Sequence, residues 1–186
     1  MIHNKPSTKG FTLMELLIVS GMFSILIIMI ASIFVSALRI ENNVFATKKV
    51  LSQISYSVEY MTRALRMAEK DTGQGCILRG NNYYILDGGK KIIFRNALQD
   101  DGDCQEFFME DKQLKYKIHK GLPSEKTFEL TSSDINISEL KFTAHGQDQS
   151  DDFQPFVTIY IEAQSSDSPV LEIQTSVSQR NPDITR

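Results

Sequence analysis

Between Phe11 and Leu38 the chain carries a single ionisable side chain, Glu15. A helix needs about 20 predominantly apolar residues to cross a hydrocarbon core, so this run is long enough to span one. After Arg39 the sequence returns to an ordinary mixture of polar and apolar residues. The layout is a short polar leader, one membrane-length segment and a water-facing remainder. With 186 residues in all, that remainder is large enough for one domain with its own core. A net charge of −3 argues against a general nucleic-acid binder, which would present a basic surface.

Three readings of the apolar run compete. A secretory signal peptide would use Lys5 and Lys9 as its basic region and Val35-Ser36-Ala37 as its small-residue cleavage site. Such signals have apolar cores of roughly 7–15 residues, shorter than this one, and Glu15 would lie inside the core. A plain single-pass anchor accounts for the length. It leaves a carboxylate in the span, at about 3 kcal/mol on insertion scales, unless Glu15 snorkels from the helix end.

The third reading takes the pattern Lys9-Gly10-Phe11-Thr12-Leu13-Met14-Glu15-Leu16-Leu17 whole. This stretch resembles the class III signal of type IV pilins and type II secretion pseudopilins. The resemblance covers about the first 40 residues closely, and beyond them only in architecture. It implies that a prepilin peptidase/methyltransferase cuts between Gly10 and Phe11 and methylates the new Phe11 amine. Further partners would be the membrane and other pilin or pseudopilin subunits, with no specific nucleic acid. Loss of Lys5 and Lys9 would take the net charge from −3 to −5.

The residues suit that chemistry. Gly10 lets the backbone enter a narrow protease cleft in extended form. Once freed, the Phe11 amine lies one helical turn from Glu15, on the same face. Charges in lipid need partners. Glu15 of one subunit can therefore neutralise the Phe11 amine of the next and set their stagger during assembly.

Lys5 and Lys9 favour a cytoplasmic N-terminus, but Arg39, Lys48 and Lys49 follow the span, so the positive-charge rule alone does not decide. The resemblance places the soluble part outside the cytoplasmic membrane, and later in a pilus or pseudopilus.

No proline occurs between Pro6 and Pro123, so a helix can continue past the membrane. Major pilins often carry a proline midway along the apolar segment; this chain has none. Ile40, Val44, Leu51, Ile54, Val58, Met61, Leu65 and Ala68 form an apolar stripe, flanked by Tyr56, Tyr60, Ala64 and Met67. Asp71-Thr72-Gly73 reads as the stop. Alternating strands follow over 82–86 and 90–95 around Asp87-Gly88-Gly89, and over 106–110 and 113–118 around Asp111-Lys112. Three more carry Leu140, Phe142 and Ala144; Val157, Ile159, Ile161 and Ala163; and Leu171, Ile173, Thr175 and Val177, each set on one face. The expected fold is α+β, a long helix on an antiparallel sheet with one side buried, which is also the pilin-like arrangement. Its segments are a leader (1–10), a transmembrane and assembly helix (11–38), an amphipathic continuation (39–70) and a β-rich domain (71–186). The number of strands resembles the larger minor subunits, the J-type pseudopilins and W-type minor pilins.

Three further features have open readings. Cys76 and Cys104 are either one disulfide or two free thiols, and an extracytoplasmic site favours the bridge. Asp100-Asp101-Gly102-Asp103 is a solvated turn or a calcium site of the kind some pseudopilins have, although it matches no EF-hand loop. Lys115, Lys117 and His119 make one strand face basic, with Lys112 and Lys120 nearby. That face is a DNA contact of the kind some competence-type minor pilins make, or the wet side of an edge strand. His119 and His145 show no ligand spacing with the cysteines, so no metal site is expected. No nucleophile elbow, phosphate loop or His-based metal motif is present, so neither an enzyme nor a cofactor is expected. The competing class is a membrane-anchored binding or sensor domain that never polymerises and keeps its leader.

Overall fold

The structure is a computed structural model, and it describes residues 10–71, 75–97, 104–118, 122–147, 153–166 and 168–180. The chain divides into two compact units, one through Asn42 and one from Asn43. One helix, α1 (Leu13–Arg66), runs from the first into the second. Among the described residues nine strands follow: β1 (Ala68–Glu69), β2 (Tyr83–Leu86), β3 (Lys91–Asn96), β4 (Cys104–Glu110), β5 (Gln113–Ile118), β6 (Lys126–Glu129), β7 (Asn136–His145), β8 (Phe156–Gln164) and β9 (Leu171–Ser178). The α+β class expected from the sequence is the observed one.

Helix α1 starts at a side-chain cap. The Glu15 amide donates to Thr12 Oγ1 at 3.3 Å, and the Leu16 amide to the Thr12 carbonyl at 3.2 Å. Thr12-Leu13-Met14-Glu15 thus has the S/T-x-x-E spacing of a capping box. At its other end the helix stops at Arg66, ahead of the expected signal at Asp71-Thr72-Gly73. Tertiary pairing ends it early: Ala68 and Glu69 leave the helix to pair antiparallel with Asn96 and Arg95 of β3. Asp71 instead organises the next loop, its carboxylate accepting the Ile77 amide at 3.1 Å. Thr72 and Gly73 lie outside the described residues.

The strands form two antiparallel sheets, where the alternation suggested one. The larger runs β1-β3-β4-β5-β6, with β2 also paired to β3, and the smaller runs β7-β8-β9. Two tight turns work as expected. Asp111 and Lys112 both take positive φ, 52° and 61°, the requirement of a two-residue hairpin turn with the right twist. At Asp87-Gly88-Gly89 all three residues have positive φ. A Cβ at Gly89 would come within 3.1 Å of the Phe142 carbonyl oxygen, so glycine there lets the turn approach β7.

The core belongs to the second unit. Val50, Ile54, Met61, Ala64 and Leu65 of α1 cluster with Ile92, Phe94, Phe107 and Leu114 of the larger sheet and Leu140, Phe142, Val157, Ile159 and Ile161 of the smaller. The expected stripe is corrected at its start. Ile40, Val44 and Leu51 are exposed, and Val50 takes the buried place given to Leu51. Polar groups tie the helix in as well. Buried Ser57 donates toward the Gln53 and Leu130 carbonyls, at 2.8 and 3.1 Å, and Gln53 Oε1 accepts the Ser132 amide at 3.0 Å.

Candidate functional site

Gly10, Phe11 and Glu15 sit at the start of the apolar segment. Gly10 precedes the helix, and a Cβ there would meet nothing within 4 Å, so packing within the chain does not require glycine. Phe11 is 79% exposed and Glu15 is exposed. The sequence reading missed the Thr12 cap, although the spacing of Thr12 and Glu15 was its signal. That bond uses only the Glu15 backbone amide; the local reason for its carboxylate is the first-turn position, which favours the helix dipole.

From there the helix is long and apolar enough to cross a membrane, with a mean hydropathy of 2.7 over its most apolar window and none of that window buried. Its hydroxyls bond back to the helix: Ser20 to the Leu17 carbonyl, Ser24 to that of Ser20 and Ser32 to that of Met29, at 2.8–3.0 Å. Lipid offers no partners to polar groups, so these internal bonds suit the span.

Cys76 and Cys104 form a disulfide with their Cα atoms 5.4 Å apart. It joins the loop after β1 to the first residue of β4. Closing a loop of this length is worth about 3.6 kcal/mol in the chain-entropy account. Asp100–Asp103 lies outside the described residues. Among those described, no three His, Cys, Asp or Glu side chains are grouped to hold a metal ion.

The basic strand is corrected. Strand β5 is no edge, because β6 pairs along its outer side, and its lysines are matched by acids. Lys115 Nζ lies 3.2 Å from Glu110 and 3.8 Å from Asp111, and Lys117 Nζ lies 3.4 Å from Glu125. Lys117 also sits over the Phe108 ring, 5.4 Å from its centroid. This face is a mixed-charge surface rather than a phosphate-tracking one. His119 and Lys120 are outside the described residues, and His145 stacks on Phe156 at 5.0 Å.

No family model, curated protein or solved structure matches this chain.

Proposed function

We propose that this chain is a structural minor pilin or pseudopilin. In this reading a prepilin peptidase cuts between Gly10 and Phe11, the Phe11 amine is methylated, and the subunit enters a type IV pilus-like filament or a type II secretion pseudopilus. The soluble unit lies outside the cytoplasmic membrane, and the chain is a substrate of an enzyme rather than an enzyme. The observation that carries the reading is the entry to the apolar segment. A glycine that no packing demands precedes Phe11, and the segment's one carboxylate stands a turn further on. The uncovered apolar surface that follows suits both lipid and neighbouring helices in a filament. The strand-rich second unit suits the larger minor subunits, J-type or W-type.

One observation favours the plain-anchor reading. Its place in the first helical turn gives the Glu15 carboxylate a purpose within its own helix, favouring the dipole, without any neighbour. Intact mass of protein purified from membranes of cells with an active prepilin peptidase separates the two. The filament reading expects loss of the first ten residues and gain of one methyl group. A full-length chain would leave the anchor reading standing.

A further inference from the structure

A cavity of about 620 Å³ lies at the C-terminal end of α1, lined by Glu59, Thr62, Arg63, Arg66, Met67 and Arg180. The end of β9 closes onto the last helical turn here, the Arg180 amide donating to the Arg66 carbonyl at 2.8 Å. Arg63 is held by Glu59 at 2.6 Å. Among the described residues the Arg66 and Arg180 guanidinium groups have no carboxylate partner. Arg66 gains from the helix C-terminal dipole; Arg180, outside the helix, has no such local reason.

The other end of β9 has the opposite problem. The register sets Glu172 beside Glu162, and Glu162 beside Glu139, across all three strands of the smaller sheet. Like charges directly opposite one another destabilise a sheet. Lys141, the nearest cation by register, makes no ion pair with them among the described residues. Glu172 and Arg180 are eight residues apart along an extended chain, about 26 Å. Carboxylates therefore outnumber cations at one end of the smaller sheet, and guanidinium groups outnumber carboxylates at the other.

We propose that these two ends meet between copies: the Arg66–Arg180 cavity of one subunit receives the Glu139–Glu162–Glu172 row of the next. The contact rests on the filament reading for its second copy. Such a contact is heterologous, and when its rotation does not close a ring it repeats into an open chain. Exposed ion pairs contribute little individually, so this one selects partner and register rather than supplying affinity. Co-localisation through the apolar segment supplies the effective concentration.

The test is a charge-swap cycle on full-length protein in membranes. One tagged copy carries Thr62→Cys beside the cavity, and a differently tagged copy carries Gln174→Cys beside the row. Oxidation should join them. Reversing the cavity (Arg66→Glu with Arg180→Glu) or the row (Glu162→Arg with Glu172→Arg) should each lower the yield about tenfold, and combining the two reversals should restore it. Rescue cannot come from misfolding. If a reversed chain fails to fold, Arg180→Gln and Glu172→Gln replace it, each expected to lower the yield about threefold. A yield indifferent to these charges, or no rescue between folded partners, overturns the proposal. The N-terminus of the same samples is read by mass. Processed chains with charge-blind crosslinking sink the contact alone, whereas charge-dependent crosslinking of unprocessed chains sinks the filament reading alone.

Discussion

Helix α1 supplies apolar side chains to two different surroundings. Before Asn43, Ile28 is 68% exposed and Phe34 63%, and serine hydroxyls bond back to their own helix. From Val50 onward, Ile54, Met61 and Leu65 are fully buried, and the Ser57 hydroxyl also reaches the Leu130 carbonyl on another element. The residue types are the same; the opposite faces differ. The second stretch carries Glu59, Arg63 and Arg66 and is preceded by Lys48 and Lys49, whereas the first has only Glu15 before Arg39. An apolar stripe backed by charge seeks a protein partner in water, while a helix apolar all round seeks lipid or other helices.

Paired substitutions can break this contrast. Ile54→Ala should destabilise the folded unit by about 2–5 kcal/mol, the usual cost of a truncated core residue. Ile28→Ala should leave its denaturation midpoint in detergent unchanged. Equal losses at both positions would mean that the first stretch is buried after all. Next in size is the disulfide: reducing Cys76–Cys104 should cost about 2–4 kcal/mol, read as a drop in midpoint with reductant. A midpoint indifferent to reductant would show that the bridge does not tie the fold. Smaller still, Ser57→Ala should cost about 1 kcal/mol against no measurable loss for Ser24→Ala, whose hydroxyl serves only its own helix.

The smallest effect concerns the pair that ties α1 to the turn before β7. Lys49 Nζ lies 2.6 Å from Asp134, and with the Ser132 hydroxyl it holds the Asp134 carboxyl below its ordinary value. A lowered value in the folded state means the contribution is present above the unfolded value, near 4, and is lost as pH falls through the folded one. Lys49→Met should therefore flatten part of the fall in stability between about pH 5 and 3. An unchanged acid limb would show that the pair is immaterial.

Parts of this architecture were readable from sequence and parts were not, for physical reasons. Strand β5 was legible to the residue, because Leu114 and Tyr116 alternate with lysines after a two-residue turn. Strand β6, four exposed residues, has no burial pattern to read, and β1 has only two residues. Alternation reports which face a residue takes, not which sheet its strand joins, so the division into two sheets was hidden. A register shift between Ile137 and Glu139 hid the inward Ile137, which sits three residues rather than two before Leu140. The stripe slipped at Leu51 because a 3.6-residue period tolerates a neighbour over a short window. The Arg66–Arg180 cavity joins the last turn of the helix to a residue after the last strand, a meeting that no local pattern announces.

Glu15 decides the central claim, because two readings meet there: a first-turn carboxylate that favours its own helix dipole, and the proposed charge for a neighbour's Phe11 amine. Glu15→Gln separates them by size, since loss of the charge costs the helix dipole only about 0.3–1 kcal/mol but leaves a neighbour's amine without its partner. The measurement is the ratio of the variant in sheared filaments to that in membranes, with the mass of its N-terminus. The filament account predicts normal insertion and normal cleavage after Gly10, with loss of most incorporation, because removing one side of a desolvated pair costs about 3–5 kcal/mol. Wild-type incorporation of Glu15→Gln would contradict it, leaving Glu15 as a first-turn carboxylate on a membrane anchor.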